Sequence, residues 1–192
     1  MDPSTAALLL IDLQVHFGRA ATGLAPRLAR LAAAARAAGV PVIWTQHGHP
    51  DPAADAAASN LVRWWGPGDS IKIGSPGWRL VGGLGVDEGG GDIVLSEKRK
   101  YDAFHGTRLA ALLSATGRSA LVVGGVLTEL CVETTARAAF VRGVDVVVLG
   151  DGCGSADPAR HAASLAVLGF GFATVATCAE VEAAWAAGNG AG

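Results

Sequence analysis

Asp12, Lys98 and Cys131 stand far apart in the sequence, yet each closes or follows a short apolar run. Together they form a set that can break an acyl bond. A cysteine attacks as its thiolate, and a free thiol with a pKa of about 8.5 holds little thiolate at neutral pH. A neighbouring cation and a helix N-terminus each lower that pKa. Lys98 can supply the charge, and "GGVLTELCVETTARAAF" (Gly124 to Phe140) puts Cys131 in the first turn of a helical pattern. Asp12 is suited to take the thiol proton and return it to a leaving group. The tight turn before Cys131 aims backbone N–H groups at the same space, where they can hold a developing oxyanion. The chemistry implied is hydrolysis of an amide, ureide or similar carbonyl through a covalent thioester.

Each residue also has a structural reading. Asp12 suits a turn, Lys98 lies in the charge run "SEKRKYD", and Cys131 suits a small buried apolar position. Cys153 and Cys178 take that last reading, with Cys153 expected to be the more exposed, in a loop. Placement separates the two readings. The runs Ala6–Leu13, Pro41–Gln46, Asp92–Ser96, Ser119–Val126 and Val144–Gly150, with a weaker sixth at Phe172–Thr177, fit strands buried on both faces of a parallel sheet. Helical patterns lie between them at Leu24–Gly39, Gly106–Gly117, Thr128–Gly143 and Asp157–Gly171. Strand and helix alternate, so the expected class is α/β, with helices on both faces of a mainly parallel sheet. Ligands in such sheets sit beyond the carboxyl ends of the strands, and Asp12, His47, His49, Lys98 and Cys131 all fall there.

One stretch breaks the rhythm. His47 to Gly91 is rich in Gly, Pro and Asp, holds Trp64, Trp65 and Trp78, and has little periodicity. A loop this long is usually functional. Its tryptophans read as loop packing, as a subunit interface, or as an apolar lid over a pocket. Arg63, Lys72 and Arg79 have two readings, binding a substrate carboxylate or facing solvent, and the second is the expectation. "GDGCGSAD" (Gly150 to Asp157) superficially resembles a phosphate loop but lacks the Lys-Ser/Thr ending and the G-x-G-x-x-G form.

Composition bounds the function. The 192 residues suit one domain, 1–192, with an ample core. A net charge of −2 with no basic stripe argues against nucleic acid as a partner. The apolar runs are far too short to span a bilayer, so no membrane partner is expected. The Met1-Asp2-Pro3-Ser4 start lacks a basic segment, and no secretory leader is expected. Three cysteines with no paired CxxC give neither a disulfide framework nor a zinc cluster, so a reducing cytoplasm is the expected location.

The chain resembles the isochorismatase-like cysteine hydrolases, a family that includes nicotinamidases, N-carbamoylsarcosine amidohydrolases and ureidoacrylate or biuret amidohydrolases. "LLLIDLQVHF" looks like the family's first-strand motif, with Asp12 at the catalytic carboxylate. "SEKRKYDAFHGTRL" looks like its lysine motif, whose spacing to Tyr101 and Phe104 selects Lys98 over Lys100. "GGVLTELCVETTARAAF" looks like its cysteine motif, with Cys131 as nucleophile. The resemblance implies a three-layer α/β/α, Rossmann-like fold on a six-stranded sheet, and a homo-oligomer, dimer or tetramer. It implies a cis peptide at Val126–Leu127 and an oxyanion hole from the N–H groups of Leu127 and Cys131. It implies substrate contacts from Phe17, His47, Trp65, Tyr101 and Phe104.

Departures bear on the substrate. Nicotinamidases of the family bind a metal through an Asp-x-His pair plus a later His. Here "TQHGHP" puts His47 in place of that Asp, His49 at the first His, and no third His before His105. Two histidines make a weak zinc site, so no metal or other cofactor is expected, and the loss of the Asp argues against a nicotinamidase. Two competing functions remain. One is an isochorismatase-type vinyl-ether hydrolase using Asp12 as acid, with Cys131 a bystander. The other is a non-catalytic interaction protein on the same fold.

Overall fold

The computed structural model describes residues 1–188; the end of the expected 1–192 domain lies outside them. In chain order the elements are β1 (Ala6–Ile11), α1 (Arg19–Thr22), α2 (Ala25–Ala37), β2 (Val42–His47), α3 (Pro52–Asp55), α4 (Asn60–Trp65), β3 (Ile93–Lys98), α5 (Leu109–Ala115), β4 (Ala120–Val126), α6 (Glu133–Phe140), β5 (Asp145–Gly154), α7 (Pro158–Gly171), β6 (Thr174–Ala176) and α8 (Cys178–Gly188). Among the described residues six strands form one sheet in the order β3-β2-β1-β4-β5-β6, every pair parallel.

The continuous apolar runs follow from burial on both sheet faces. In β1, Leu8 and Leu10 pack with Leu28 and Leu31 of α2 and Trp185 of α8. The alternate residues Ala7, Leu9 and Ile11 pack with Leu109 of α5, Ala136 of α6 and Leu168 of α7. Three layers result. Helix α7 begins where the Asp-Pro pair suggested: Asp157 accepts from Ala159 N and Arg160 N, with Pro158 in the first turn.

Two local features set the spacing at the carboxyl edge. Gly125 has φ +119°, and a Cβ there would run into the backbone of Ile11, so β4 closes on β1 only because glycine stands there. Between β2 and β3 the register shifts between Thr45 and His47, which brings His47 level with Lys98.

The 47–91 excursion is more ordered than its sequence suggests. Asp51 caps α3 and Ser59 caps α4. His49 N donates to Ile71 O, Ile73 N to His49 O, and Val81 N to Leu13 O, so the excursion is stitched to itself and to β1. It returns to the sheet at Asp92, whose carboxylate accepts from Arg36 Nε (2.9 Å), Arg36 Nη2 (2.6 Å), Trp44 Nε1 (2.8 Å) and Asp87 N (3.0 Å). These four bonds clamp the start of β3 to α2 and β2.

Two expectations need correction. The fifth strand does not stop at Gly150 but runs to Gly154, pairing Gly125 with Cys153, so Cys153 is buried in the sheet and is not a loop thiol. The helix after β4 does not start at Thr128: residues Thr128–Val132 form a π-turn, and α-helical geometry begins at Glu133.

Candidate active site

Asp12 follows β1 with φ +50°, a left-handed conformation that Asp tolerates better than most residues. Its carbonyl accepts from Gln14 N at 2.6 Å, closing a tight turn. The carboxylate is fully buried and shared between two donors: Thr45 Oγ1 reaches Oδ1 at 2.6 Å, and Lys98 Nζ reaches Oδ2 at 2.5 Å. Lys98 is equally buried at the end of β3, and its Nζ also lies 3.3 Å from Cys131 Sγ. Cys131 sits in the π-turn directly after the cis Val126–Leu127 peptide. The ammonium thus bridges a carboxylate and a thiol.

The electrostatics define a resting state. Burial alone would raise the Asp12 carboxyl, but the Lys98 charge and the hydrogen bonds from Lys98 and Thr45 hold it below its usual value. Burial alone would lower Lys98, but Asp12 and Cys131 hold it above its usual value. The Cys131 thiol is pushed up to about 12: burial raises it, Lys98 only partly offsets that, and the Asp12 carboxylate raises it further. The lowering expected from Lys98 is therefore outweighed. The resting group is an S–H beside an Asp–Lys ion pair, because desolvation outweighs the one nearby cation.

Above this floor opens a cavity of about 440 Å³. Phe17, His47, Trp65, Tyr101, Leu127 and Cys131 line it. Trp65 Nε1 donates to Tyr101 Oη at 2.7 Å, tying α4 to the turn after β3. The His47 imidazole is driven down to about 3 by burial and by Lys98, so it is neutral. Phe104 does not reach the cavity. Its ring is buried in the core beside α5 and α6, with the Arg142 guanidinium 4.7 Å from its centroid. The three excursion tryptophans differ: Trp65 lines the cavity, Trp78 packs on Gly48, and Trp64 is 81% exposed.

The His47–His49 pair fits a metal poorly. The rings are 5.2 Å apart at 84°, and His49 Nδ1 is 3.4 Å from Asp55 Oδ2. Among the described residues no three His, Cys, Asp or Glu side chains gather as a metal-holding group.

Sequence reasoning passed over two polar residues. Thr45 joins Asp12 by side chain and backbone alike, accepting from Asp12 N at 3.1 Å. The buried Gln14 amide donates to His47 O (2.9 Å) and Trp78 O (2.8 Å) and accepts from His47 N (2.9 Å). It fastens the end of β2 to the excursion. The signal was present: Thr45 and Gln14 are polar residues inside or beside otherwise apolar strand runs.

Comparisons with known proteins agree on one family. The isochorismatase domain profile matches residues 6–180. Nicotinamidase 3 of Arabidopsis thaliana is 35% identical, over 92% of this chain and 88% of that protein. A ureidoacrylate amidohydrolase of Methylobacterium radiotolerans is 34% identical, over 96% and 81%. Among solved structures, an isochorismatase family protein of Desulfovibrio vulgaris superposes with a TM-score of 0.81 at 30% identity, over 95% of this chain and 98% of that one. A cysteine hydrolase of Pseudomonas syringae shares the fold with a TM-score of 0.89 at 24% identity, over 98% and 95%.

Proposed function

The chain belongs to the isochorismatase domain family of hydrolases, and from that premise we propose that it is a cysteine-dependent amidohydrolase, cleaving the C–N bond of a small amide, ureide or carbamoyl compound. The observation that carries this reading is the buried Lys98 ammonium in contact with both the Asp12 carboxylate and the sulfur of Cys131, the one of the three that lines the cavity. Relatives acting on nicotinamide and ureidoacrylate, by their names, support amide chemistry.

The proposed cycle runs through Asp12. As the substrate carbonyl meets Cys131, Asp12 accepts the thiol proton and sulfur bonds to the carbonyl carbon. The oxygen takes up the negative charge, held by the N–H groups of Leu127 and Cys131; losing one such donor costs roughly 10²–10³ in rate. The C–N bond then breaks while Asp12 returns the proton to the departing nitrogen, leaving a thioester. Water attacks the thioester as Asp12 takes a proton from it. The C–S bond breaks and sulfur recovers that proton. Lys98 stays charged throughout, stabilising first the carboxylate and then the thiolate. Phe17, His47, Trp65 and Tyr101 hold the acyl group.

Ammonia release from nicotinamide, N-carbamoyl amino acids, ureidoacrylate, biuret and simple aromatic amides, wild type beside Cys131→Ala, tests the reading. Turnover that vanishes in the variant supports it. Ammonia release that survives the substitution refutes a cysteine nucleophile; silence across the panel, with cleavage of a vinyl ether that Cys131→Ala retains, moves the assignment to vinyl-ether hydrolysis with Asp12 as acid.

A further inference from the structure

The cavity wall carries more information than the floor. Six of its side chains, Phe17, Leu61, Trp65, Ile71, Leu127 and Leu130, are large and apolar. None of its lining residues is a lysine or arginine. Its charged member, Asp69, stands exposed at the rim and is an anion. His16 is also exposed there. His47 presents a neutral imidazole, because burial and the Lys98 charge both oppose its protonation.

Several cations of the surrounding segments are held elsewhere. Lys98 is held by Asp12 and Cys131. Arg99 donates to Ser96 O and Lys98 O, Lys100 to Asn60 Oδ1, and Arg63 to Ala56 O and Ala57 O. Lys72 lies in the adjoining open groove with Asp51, on the far side of Ile71.

We propose that the substrate is an amide whose acyl part is an uncharged, apolar body of one or two rings or a branched chain, and that amides bearing a carboxylate are rejected. This rests on the amidohydrolase reading of the same site. An ionised carboxylate drawn against this wall loses its water and meets no lining lysine or arginine, whereas an apolar group gains by burial. The Asp69 charge adds repulsion. The volume agrees with a substrate of this size, since pockets for small molecules run from about 300 to 1,000 Å³. His47 supplies one neutral hydrogen-bonding group to orient the body without demanding charge.

Shape-matched pairs test it: 4-isopropylbenzamide against 4-carbamoylbenzoate, and 4-methylpentanamide against 3-carbamoylpropanoate. Two readouts run in parallel: kcat/KM for ammonia release by the wild type, and binding to Cys131→Ala by titration calorimetry. The neutral member of each pair is expected to be favoured at least a hundredfold in both. Ala156→Arg, which adds a cation at an exposed position on the wall, is expected to shrink that preference at least tenfold. Equal treatment of the pairs, or preference for the carboxylates, overturns the inference while leaving the amidohydrolase intact. Selective binding of the neutral amides without any hydrolysis keeps the selectivity inferred for the cavity and removes the amidohydrolase. Failure of every probe to bind or react at 10 mM, a ceiling of about 2–3 kcal/mol in binding free energy, also overturns it.

Discussion

Thr45 and Asp12 are joined twice: the threonine hydroxyl donates to Asp12 Oδ1 at 2.6 Å and accepts from Asp12 N at 3.1 Å. One side chain on β2 thus fixes both the left-handed backbone of Asp12 and the direction of its carboxylate. Thr45→Val keeps the shape and deletes both bonds. The expected cost is about 1–3 kcal/mol of stability and about a 10- to 100-fold loss in kcat/KM, the range for a mispositioned general base. A bond that lowers the Asp12 carboxyl is lost, so the acid limb of the pH–rate profile should move to higher pH. An unmoved limb would show that Thr45 only packs.

Lys98→Met leaves the buried carboxylate unpaired. We expect activity to vanish and stability in denaturant titrations to fall by about 3–5 kcal/mol. Adding Asp12→Asn should restore a good part of the stability and none of the activity. A Lys98→Met protein as stable as the wild type would mean that the pair is not ionised in the fold.

The same pair predicts a pH window. Asp12 is depressed below 3.8, so its contribution to stability is full above that value and is lost as pH falls through the folded value. Lys98 is raised above 10.5, so its contribution is full below that value and is lost as pH rises through the folded value. The coupling between Lys98→Met and Asp12→Asn in a double-mutant cycle should therefore be flat between these limits and shrink outside them. A coupling that titrates near neutrality would contradict this assignment.

With its thiol at about 12, Cys131 should react slowly with iodoacetamide at neutral pH. The rate should climb about tenfold per pH unit with no plateau below pH 9, since the thiolate is the nucleophile. Subtracting the rate for Cys131→Ala isolates this thiol. A plateau below pH 7 would reveal a standing thiolate.

The Trp65–Tyr101 bond belongs to the wall. Trp65→Phe and Tyr101→Phe should each raise KM by about 3- to 10-fold, the worth of a hydrogen bond of 0.5–1.5 kcal/mol. kcat should barely change. A fall in kcat with KM unchanged would move these residues into the chemical step.

Apolar runs made the sheet legible, because a strand buried on both faces must be apolar throughout. The floor residues were legible for a related reason: Asp12, Lys98 and Cys131 are reactive groups at the ends of such runs. Thr45 and Gln14 were not, because a polar residue within a strand looks the same whether it faces water or a buried carboxylate. Cys153 was misjudged because the glycine-rich "GDGCGSAD" looks like a loop, whereas in β5 its glycines let neighbouring side chains close in: a Cβ at Gly152 would strike Leu149 and Cys178. Phe104 was misjudged because motif spacing fixes position along the chain and not the direction of a ring.

The clamp on Asp92 has a consequence for how such a protein can change under selection. Wall residues Leu61, Trp65 and Ile71 come from the excursion, whereas Lys98 lies beyond the point where Arg36, Trp44 and Asp87 grip its return. Two bonds cross that grip, Gly48 N to Lys98 O at 3.2 Å and Trp65 Nε1 to Tyr101 Oη at 2.7 Å. Substitutions upstream that spare Gly48 and Trp65 can reshape the cavity and leave the lysine in place. Substrate preference and bond-breaking machinery are then separately heritable, with Asp92 as the partition and those two bonds as its crossings.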